Sequence, residues 1–329
     1  MKIFPLTLIP INTRIDFMRW RYFHLGFAVL CFLVALVGVF GKGFNFGLDF
    51  TGGTAIELRF EQPPNVEEVR GRLADAGFES AQVQAFGNAT DLLVRLRGEA
   101  RADAGQAASG AQVDQGVKQA EEVLAALSTP ANPATIKSRE SISAMVSSEL
   151  TSKAMQAAAF VLIGFLIYIS LRFEWKFAVV ASVTTLLDVA VVAGLFALTG
   201  REFDLTVLAG LLSVMGFSIN DTIGVFDRVR ENFRSMRGTP LEIFNASINQ
   251  TLSRTIITSA VFFLTVLALY LFGGESLQGL ALTQMFGAVF GTISSILIAC
   301  PMLTVGFLKV TKQDLMPRAK DEAALARRP

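Results

Sequence analysis

Two acidic residues stand where the chain is otherwise apolar. Asp221 lies near the end of the 22-residue stretch Leu205 to Phe226, in the string Gly216-Phe217-Ser218-Ile219-Asn220-Asp221-Thr222. Asp188 is the twelfth of 23 residues in the preceding stretch, Phe177 to Thr199. A carboxylate at such depth in a membrane-length helix costs roughly 2.5–3.5 kcal/mol even on lenient insertion scales, so it is kept for a task or given a partner. Two of them in adjacent stretches point to ion or proton handling, or to catalysis inside a bilayer.

Helix geometry groups further residues with Asp221. At about 100° per residue, Gly210, Phe217, Ser218, Gly224 and Val225 fall within roughly 60° of it. Gly and Ser on that face permit close helix approach. Arg254 begins the next apolar stretch from the same side of the membrane, and Asp221 lies about 7.5 Å inside the end of its own. An extended guanidinium covers much of that offset, and an Asp that gains and loses such a partner switches its proton affinity. The candidate ion pathway is therefore Asp221, Arg254, Asp188, Asn220, Thr222 and Ser218. Plainer readings stay open: Asp221, Asn220 and Thr222 as interhelical hydrogen-bonding groups, Arg254 as a topological anchor, and Asp188 bonded to Thr184 or Thr185 one turn earlier. Asp227, Arg228, Arg230 and Glu231 read as a solvated helix end with i,i+3 and i,i+4 pairs.

The elements that must position these residues are membrane spans. Hydrophobic residues make up 52% of the 329 and charged residues 17%, with a mean hydropathy of +0.50, more apolar than a soluble core requires. Six runs are each long enough to cross about 30 Å of hydrocarbon: Tyr22 to Phe40, Ala154 to Leu171, Phe177 to Thr199, Leu205 to Phe226, Thr255 to Phe272 and Leu280 to Leu308. A net charge of +1 argues against a nucleic-acid partner. Lys and Arg cluster before span 1, at Arg172 and Lys176, from Arg228 to Arg254, and after Leu308, which the positive-inside rule assigns to the cytoplasm. Both termini, 1–21 and 309–329, are then cytoplasmic, and 41–153 is exported between span 1 (22–40) and the span 2 to span 6 bundle (154–308). The first run lacks a small-x-small cleavage pattern and reads as an uncleaved anchor. Cys31 and Cys300 fall within spans as small core residues, and His24 reads as interfacial. The sequence holds no phosphate loop, zinc spacing or serine nucleophile elbow, so no metal or cofactor is expected.

The exported segment reads as a small α+β domain. Thr54 to Phe60 alternates as a strand, and Pro63-Pro64-Asn65 starts a helix with Val66, Val69 and Leu73 on one face. Gln82 to Phe86 and Leu92 to Leu96 flank a hairpin-type interruption, a polar stretch from Arg101 to Gly116 reads as a loop, Val117 to Leu127 as a helix, and Ala134 to Ser138 as a final strand. The order β-α-β-β-α-β is ferredoxin-like. Without a catalytic constellation, such a domain is expected to bind or to transmit motion.

Gly47-Leu48-Asp49-Phe50-Thr51-Gly52-Gly53 after span 1, and Asn220-Asp221-Thr222-Ile223-Gly224-Val225-Phe226-Asp227-Arg228-Val229-Arg230-Glu231-Asn232 leaving span 4, resemble the signatures of the SecD/SecF family of bacterial protein export, and within it the six-span SecF type. The likeness continues through Glu202-Phe203-Asp204-Leu205-Thr206, Arg254-Thr255-Ile256-Ile257-Thr258-Ser259 and Phe272-Gly273-Gly274-Glu275. It implies half of an RND-type arrangement that uses the proton motive force in the bacterial inner membrane. The implied partners are a SecD-like subunit as heterodimer partner, the SecYEG channel, YajC and YidC, and exported polypeptides. In the post-span-1 motif the resemblance singles out Gly47, Asp49, Phe50, Gly52 and Gly53. The chain departs from the family pattern at Leu187, where relatives often carry His before the span-3 acid, and at Ile142-Ser143-Ala144-Met145, which lacks a Gly-Pro pair.

Three classes follow: a proton-driven export subunit without a chemical reaction of its own, an intramembrane aspartyl protease, and an efflux or ion-transporter half or purely structural subunit. The protease reading lacks the Gly-x-Gly-Asp and Tyr-Asp strings. On the export reading, the Gly210, Ser218 and Gly224 face of span 4 awaits a helix from the partner.

Overall fold

The computed structural model describes residues 13–79, 81–85, 88–96, 109–311 and 314. Six of its helices are long and apolar enough to cross a membrane: Phe17–Lys42, Ala144–Arg172, Trp175–Thr199, Leu205–Ser235, Pro240–Phe272 and Ser276–Leu297. The chain is a polytopic helical membrane protein with a small sheet domain between its first and second spans. It divides into two compact units, described in turn.

In the helical unit, a 3-10 turn at Phe17–Trp20 leads into α1 (Arg21–Val37), which ends in a π-helical turn at Gly38–Lys42. Much of α1 and of the long helix Ala144–Arg172 presents Phe, Leu, Ile and Val outward, the surface that lipid solvates. The span Trp175–Thr199 stops at Gly200, whose φ of +67° only glycine adopts without strain. It crosses α1 so closely that a Cβ on Gly194 would stand 2.5 Å from the Cα of Ala35. Phe173, Phe177 and Phe226 pack ring to ring at 5.1–6.4 Å and close one end of the bundle.

Two helices extend well past their apolar runs. The stretch expected as a connection between spans 4 and 5 is nearly all helix, because Leu205–Ser235 and Pro240–Phe272 leave only residues 236–239 between them. Thr239 and Glu242 form a capping box with Pro240 in the first turn, which sets the start of the second helix. Asn232 donates to Ser247 and Gln250 at 2.9 and 3.0 Å, and Phe233 packs on Phe244, so the extensions form a helical hairpin. The last span differs from the continuous run Leu280 to Leu308: the helix Glu275–Leu297 breaks, and a single turn, Ala299–Met302, follows. Pro301 is the cause, since it has no N–H to give and its ring clashes with the preceding turn.

The second unit comprises Asn45–Ala158 and Glu202–Leu205. A two-residue strand β1 (Asn45–Phe46) and a short turn of helix α2 (Leu48–Thr51) precede β2 (Gly53–Phe60), α3 (Val66–Asp75), β3 (Gln82–Ala85), β4 (Asp91–Leu96), α4 (Ser109–Leu127) and β5 (Ala134–Ile142). The spans that follow are α5 (Ala144–Arg172), α6 (Trp175–Thr199), α7 (Leu205–Ser235), after strand β6 (Glu202–Phe203), α8 (Pro240–Phe272), α9 (Glu275–Leu297) and the turn α10 (Ala299–Met302). The sheet order is β3-β4-β2-β5, antiparallel throughout, the ferredoxin-like topology that the order of elements implied. Ile56, Leu58, Leu73, Val94, Ala120 and Val123 form a core between sheet and helices. α4 begins at Ser109, inside the stretch expected as loop: its alanines and glutamines are good helix formers despite their polarity. Residues 97–108, which include the rest of that expected loop, lie outside the described residues, as do 1–12 and most of 312–329.

Candidate functional site

The two acids sit in separate hydrogen-bonded groups that share α7 and α9. Close approach of these helices makes this possible. A Cβ on Gly210 would lie 2.9 Å from Thr283, one on Gly287 would overlap Val214, and one on Gly291 would lie 3.2 Å from Ser218. Of the three small residues of span 4 expected to await a partner helix, Gly210 and Ser218 therefore already pack on α9, whereas Gly224 is half-buried beside Arg254 of α8. Gly210 and Ser218 are buried within the chain.

Asp188 on α6 accepts hydrogen bonds at one oxygen, Oδ2, from Ser218 of α7 at 2.5 Å and Ser294 of α9 at 2.7 Å. The expected Thr184 and Thr185 contacts are not made. Thr184 instead returns its hydroxyl to the carbonyls of Val180 and Ala181, the usual recourse of a buried helix threonine. Asp221 accepts from Ser259 of α8 at 3.3 Å, and Ser259 accepts in turn from Thr292 of α9 at 2.7 Å. Thr222 is buried and back-bonds to the Ser218 carbonyl, whereas Asn220 is exposed on another face of α7.

Arg254 forms no ion pair with Asp221 within 4.0 Å. Its side chain is exposed and runs beside Gly224, where a Cβ would stand 4.0 Å from Nη1. Gly224 lies three residues from Asp221 on α7, so the guanidinium stands along the same side of that helix without closing on the carboxylate. At the end of the bundle, Asp227 pairs with Arg172 at 2.6 Å and Arg230 with Glu174 at 2.9 Å, while Arg228 and Glu231 pair along the helix at 2.8 Å. Two of these charges thus tie α7 to the turn between α5 and α6, beyond the solvated i,i+3 pairing expected of them.

Sequence reasoning missed Ser259, Thr292 and Ser294. Ser259 entered only as the last residue of a string that resembles the family, and for Thr292 and Ser294 the signal was hydroxyl residues closely spaced in span 6, which is common in membrane helices.

The motif after span 1 builds a joint in the sheet unit. Gly47 lies against Glu202 and Asp204, where a Cβ would come within 2.8 Å of the Glu202 carboxylate. This closeness lets β1 pair in parallel with β6. Asp49 Oδ2 accepts from the backbone N–H of Leu205 at 3.0 Å, capping the first turn of α7, and the Asp49 carbonyl accepts from Ser147 of α5 at 3.0 Å. Phe46, Phe50 and Phe203 pack at 5.6–6.1 Å. Gly52 and Gly53, at φ +65° and +120°, turn the chain into β2 against Ala144. Arg95 of β4 forms an ion pair with Glu202, whose carboxyl burial pushes up and Arg95 draws down.

Residues 122–307 match the family described as protein export membrane protein SecD/SecF, C-terminal, and residues 37–64 match the SecD/SecF GG motif. Protein translocase subunit SecF of Escherichia coli O157:H7 is 42% identical over 86% of this chain and 85% of its own length. The Pseudomonas aeruginosa protein of the same name is 42% identical over 95% and 97%. The crystal structure of SecDF from Thermus thermophilus, a translocon-associated membrane protein, superposes with a TM-score of 0.78 at 35% identity. It covers 91% of this chain, which spans 39% of the SecDF chain. A SecDF structure in the super-membrane-facing form gives 0.60 at 34% identity over the same shares. Matched over more than half its length by the family description and over most of it by SecF relatives, the chain belongs to the SecD/SecF family of protein export membrane proteins.

Proposed function

We propose that this chain, an accessory subunit of the Sec protein translocase, works with a SecD-like subunit to turn the proton motive force into late steps of protein export. It carries out no chemical reaction of its own. The observation that carries the reading is Asp221, 7% exposed inside the bundle, held by a single hydroxyl and flanked by an arginine that does not close on it. A carboxylate in that setting can take up and release a proton as the Arg254 distance changes. Asp188, Ser218, Asn220 and Thr222 complete the pathway in this reading. The solved SecDF chain is more than twice as long as the part matched here, which supports a SecD-like partner. Exposed Ala209, Ser213, Gly216 and Asn220 recur at three- and four-residue spacing on α7 and offer that partner a face of small residues.

The distribution of Lys and Arg supports an inner-membrane orientation with both termini cytoplasmic and the sheet domain exported. There the domain acts on emerging polypeptides beside SecYEG, with YajC and YidC as further neighbours. Asp221→Asn should insert and accumulate normally yet lose gradient-dependent export of a reporter, and Arg254→Lys should restore an Arg254→Ala defect only if a point charge suffices. Undiminished gradient-driven export by Asp221→Asn would favour a structural subunit or an efflux half instead. Cysteines at Asn88 and Ser235 should label from opposite sides of the membrane, and same-side labelling would sink the topology.

A further inference from the structure

The joint that seats the glycine motif gathers more negative charge than its pairing needs. β1 and β6 meet over two residues, Asn45 with Glu202 and Phe46 with Phe203, and the Gly47 N–H donates to the Phe203 carbonyl at 2.9 Å. So short a parallel ladder holds little by itself, and the side chains around it decide its strength. Glu202 and Asp204, two residues apart, both close on Gly47, where a Cβ would stand 2.8 Å from Glu202 Oε1 and 3.1 Å from the Asp204 Cβ. Arg95 of β4 pairs with Glu202 and reaches Asn45 Oδ1 at 3.5 Å. Arg95 and Glu140 stand on either side of Ala55 in one row of the sheet, so Glu140 of β5 shares the face from which Arg95 holds Glu202. Asp49 of α2 adds a further carboxylate, bonded to the Leu205 amide. Arg139 sits beside Ile56 in the next row and faces the other way, and Arg201 is exposed to solvent, where its charge is screened.

We propose that this joint is a latch closed by a proton: Glu202 takes one up when the side of the membrane that holds the sheet domain turns acid, the pairing of β1 with β6 tightens, and loss of the proton loosens it. Carboxylates crowded into one partly buried place repel one another, and a proton on one of them relieves the repulsion. Burial pushes the Glu202 carboxyl up, Arg95 draws it down, and the charges of Asp204, Asp49 and Glu140 push it up again, to a net position above the ordinary glutamate value. A simple ion pair with Arg95 would hold it below that value. Once protonated, Glu202 still accepts from Arg95 through its carbonyl oxygen and gains an O–H to donate, so the contact with β4 survives the change. A carboxyl raised in the closed joint and ordinary in the open one favours closure as pH falls through its raised value, and the gain is complete below the ordinary value of 4.5. Only the compartment that supplies the proton rests on the orientation proposed above; the latch itself does not.

Hydrogen exchange of the Gly47 amide in the purified full chain in detergent tests the latch, with each rate divided by the intrinsic rate at that pH. Protection should rise severalfold between about pH 8 and about pH 5. Glu202→Gln keeps the shape and the contact with Arg95 without the charge, so its protection should be high and flat across the range. Asp204→Asn removes one repelling charge and should move the rise to lower pH, which keeps the test decisive if the Glu202 variant does not fold. Protection that falls on acidification, as a plain ion pair requires, protection that does not change, a rise that survives in Glu202→Gln, or an Asp204→Asn rise at the same pH as in the native chain would overturn the proposal. Same-side labelling of cysteines at Asn88 and Ser235 would move the proton source to the other compartment and leave these outcomes as they stand.

Discussion

Asp91 in the sheet domain and Asp188 in the bundle are equally buried, at 0% and 1% exposure, yet the chain treats them in opposite ways. Asp91 receives a bidentate Arg59 at 2.8 Å through both oxygens, with the Lys137 ammonium 3.7 Å away. Lys137 is the extra residue of a β-bulge opposite Glu57 and Leu58, and the bulge aims its side chain at Glu57 and Asp91 together. The hydrogen bond from Arg59 is the main force holding the Asp91 carboxyl down at about 2, against its burial. Asp188 has only hydroxyls. A buried acid given two cations is fixed in one charge state and serves the fold; one given only neutral donors keeps the choice of proton or ion open.

The sharpest way to break this comparison is export. Asp221→Asn and Asp188→Asn should each reduce gradient-dependent export to the level left when the gradient is collapsed, while Asp91→Asn should leave that dependence intact at permissive temperature. A reporter assay with and without uncoupler reads it directly.

Stability should run the other way. Asp91→Ala removes the bidentate acceptor of Arg59 and leaves Lys137 to Glu57, and should cost on the order of 2–3 kcal/mol, below the ~3–5 kcal/mol of a fully buried pair because Arg59 is 48% exposed. Hydrogen exchange of the β2 and β4 amides in the full chain measures the loss. The pH dependence has a definite sign. The folded value of Asp91 is depressed, so its contribution is present above the ordinary carboxylate value near 4 and disappears as pH falls toward 2. Protection of β2 should fall across that window in the native chain and stay flatter in Asp91→Asn.

The smallest effect belongs to a third aspartate, Asp49, which serves only backbone. Asp49→Ala should fray the first turn of α7 at a cost of about 1 kcal/mol, and Asp49→Asn should cost less, since an amide oxygen caps nearly as well. Exchange of the Leu205 amide would register both.

Asp188 and Asp221 were legible in the sequence because a charge in an apolar run stands out by its cost. Their partners were not. Ser218 and Ser294 lie 30 and 106 residues from Asp188, and hydroxyls in spans are too ordinary to mark which pairs meet. The sheet order followed from alternation and turn residues, whereas the early start of α4 was hidden by a composition that suits both loop and helix. The face of span 4 was misassigned for a related reason. Small residues announce close packing, but the sequence does not say whether the neighbour is α9 or another chain.

The Asp49 cap has a mechanical consequence. α7 is one unbroken helix from Leu205, whose N–H Asp49 holds, to Asp221, 16 residues and about 24 Å further on. With the capped turn as fulcrum, a tilt of only about 5° sweeps the Asp221 end sideways by about 2 Å. That exceeds the slack in its 3.3 Å bond to Ser259. A lever of this length converts a motion too small to unpack the joint into one large enough to change what the buried carboxylate touches.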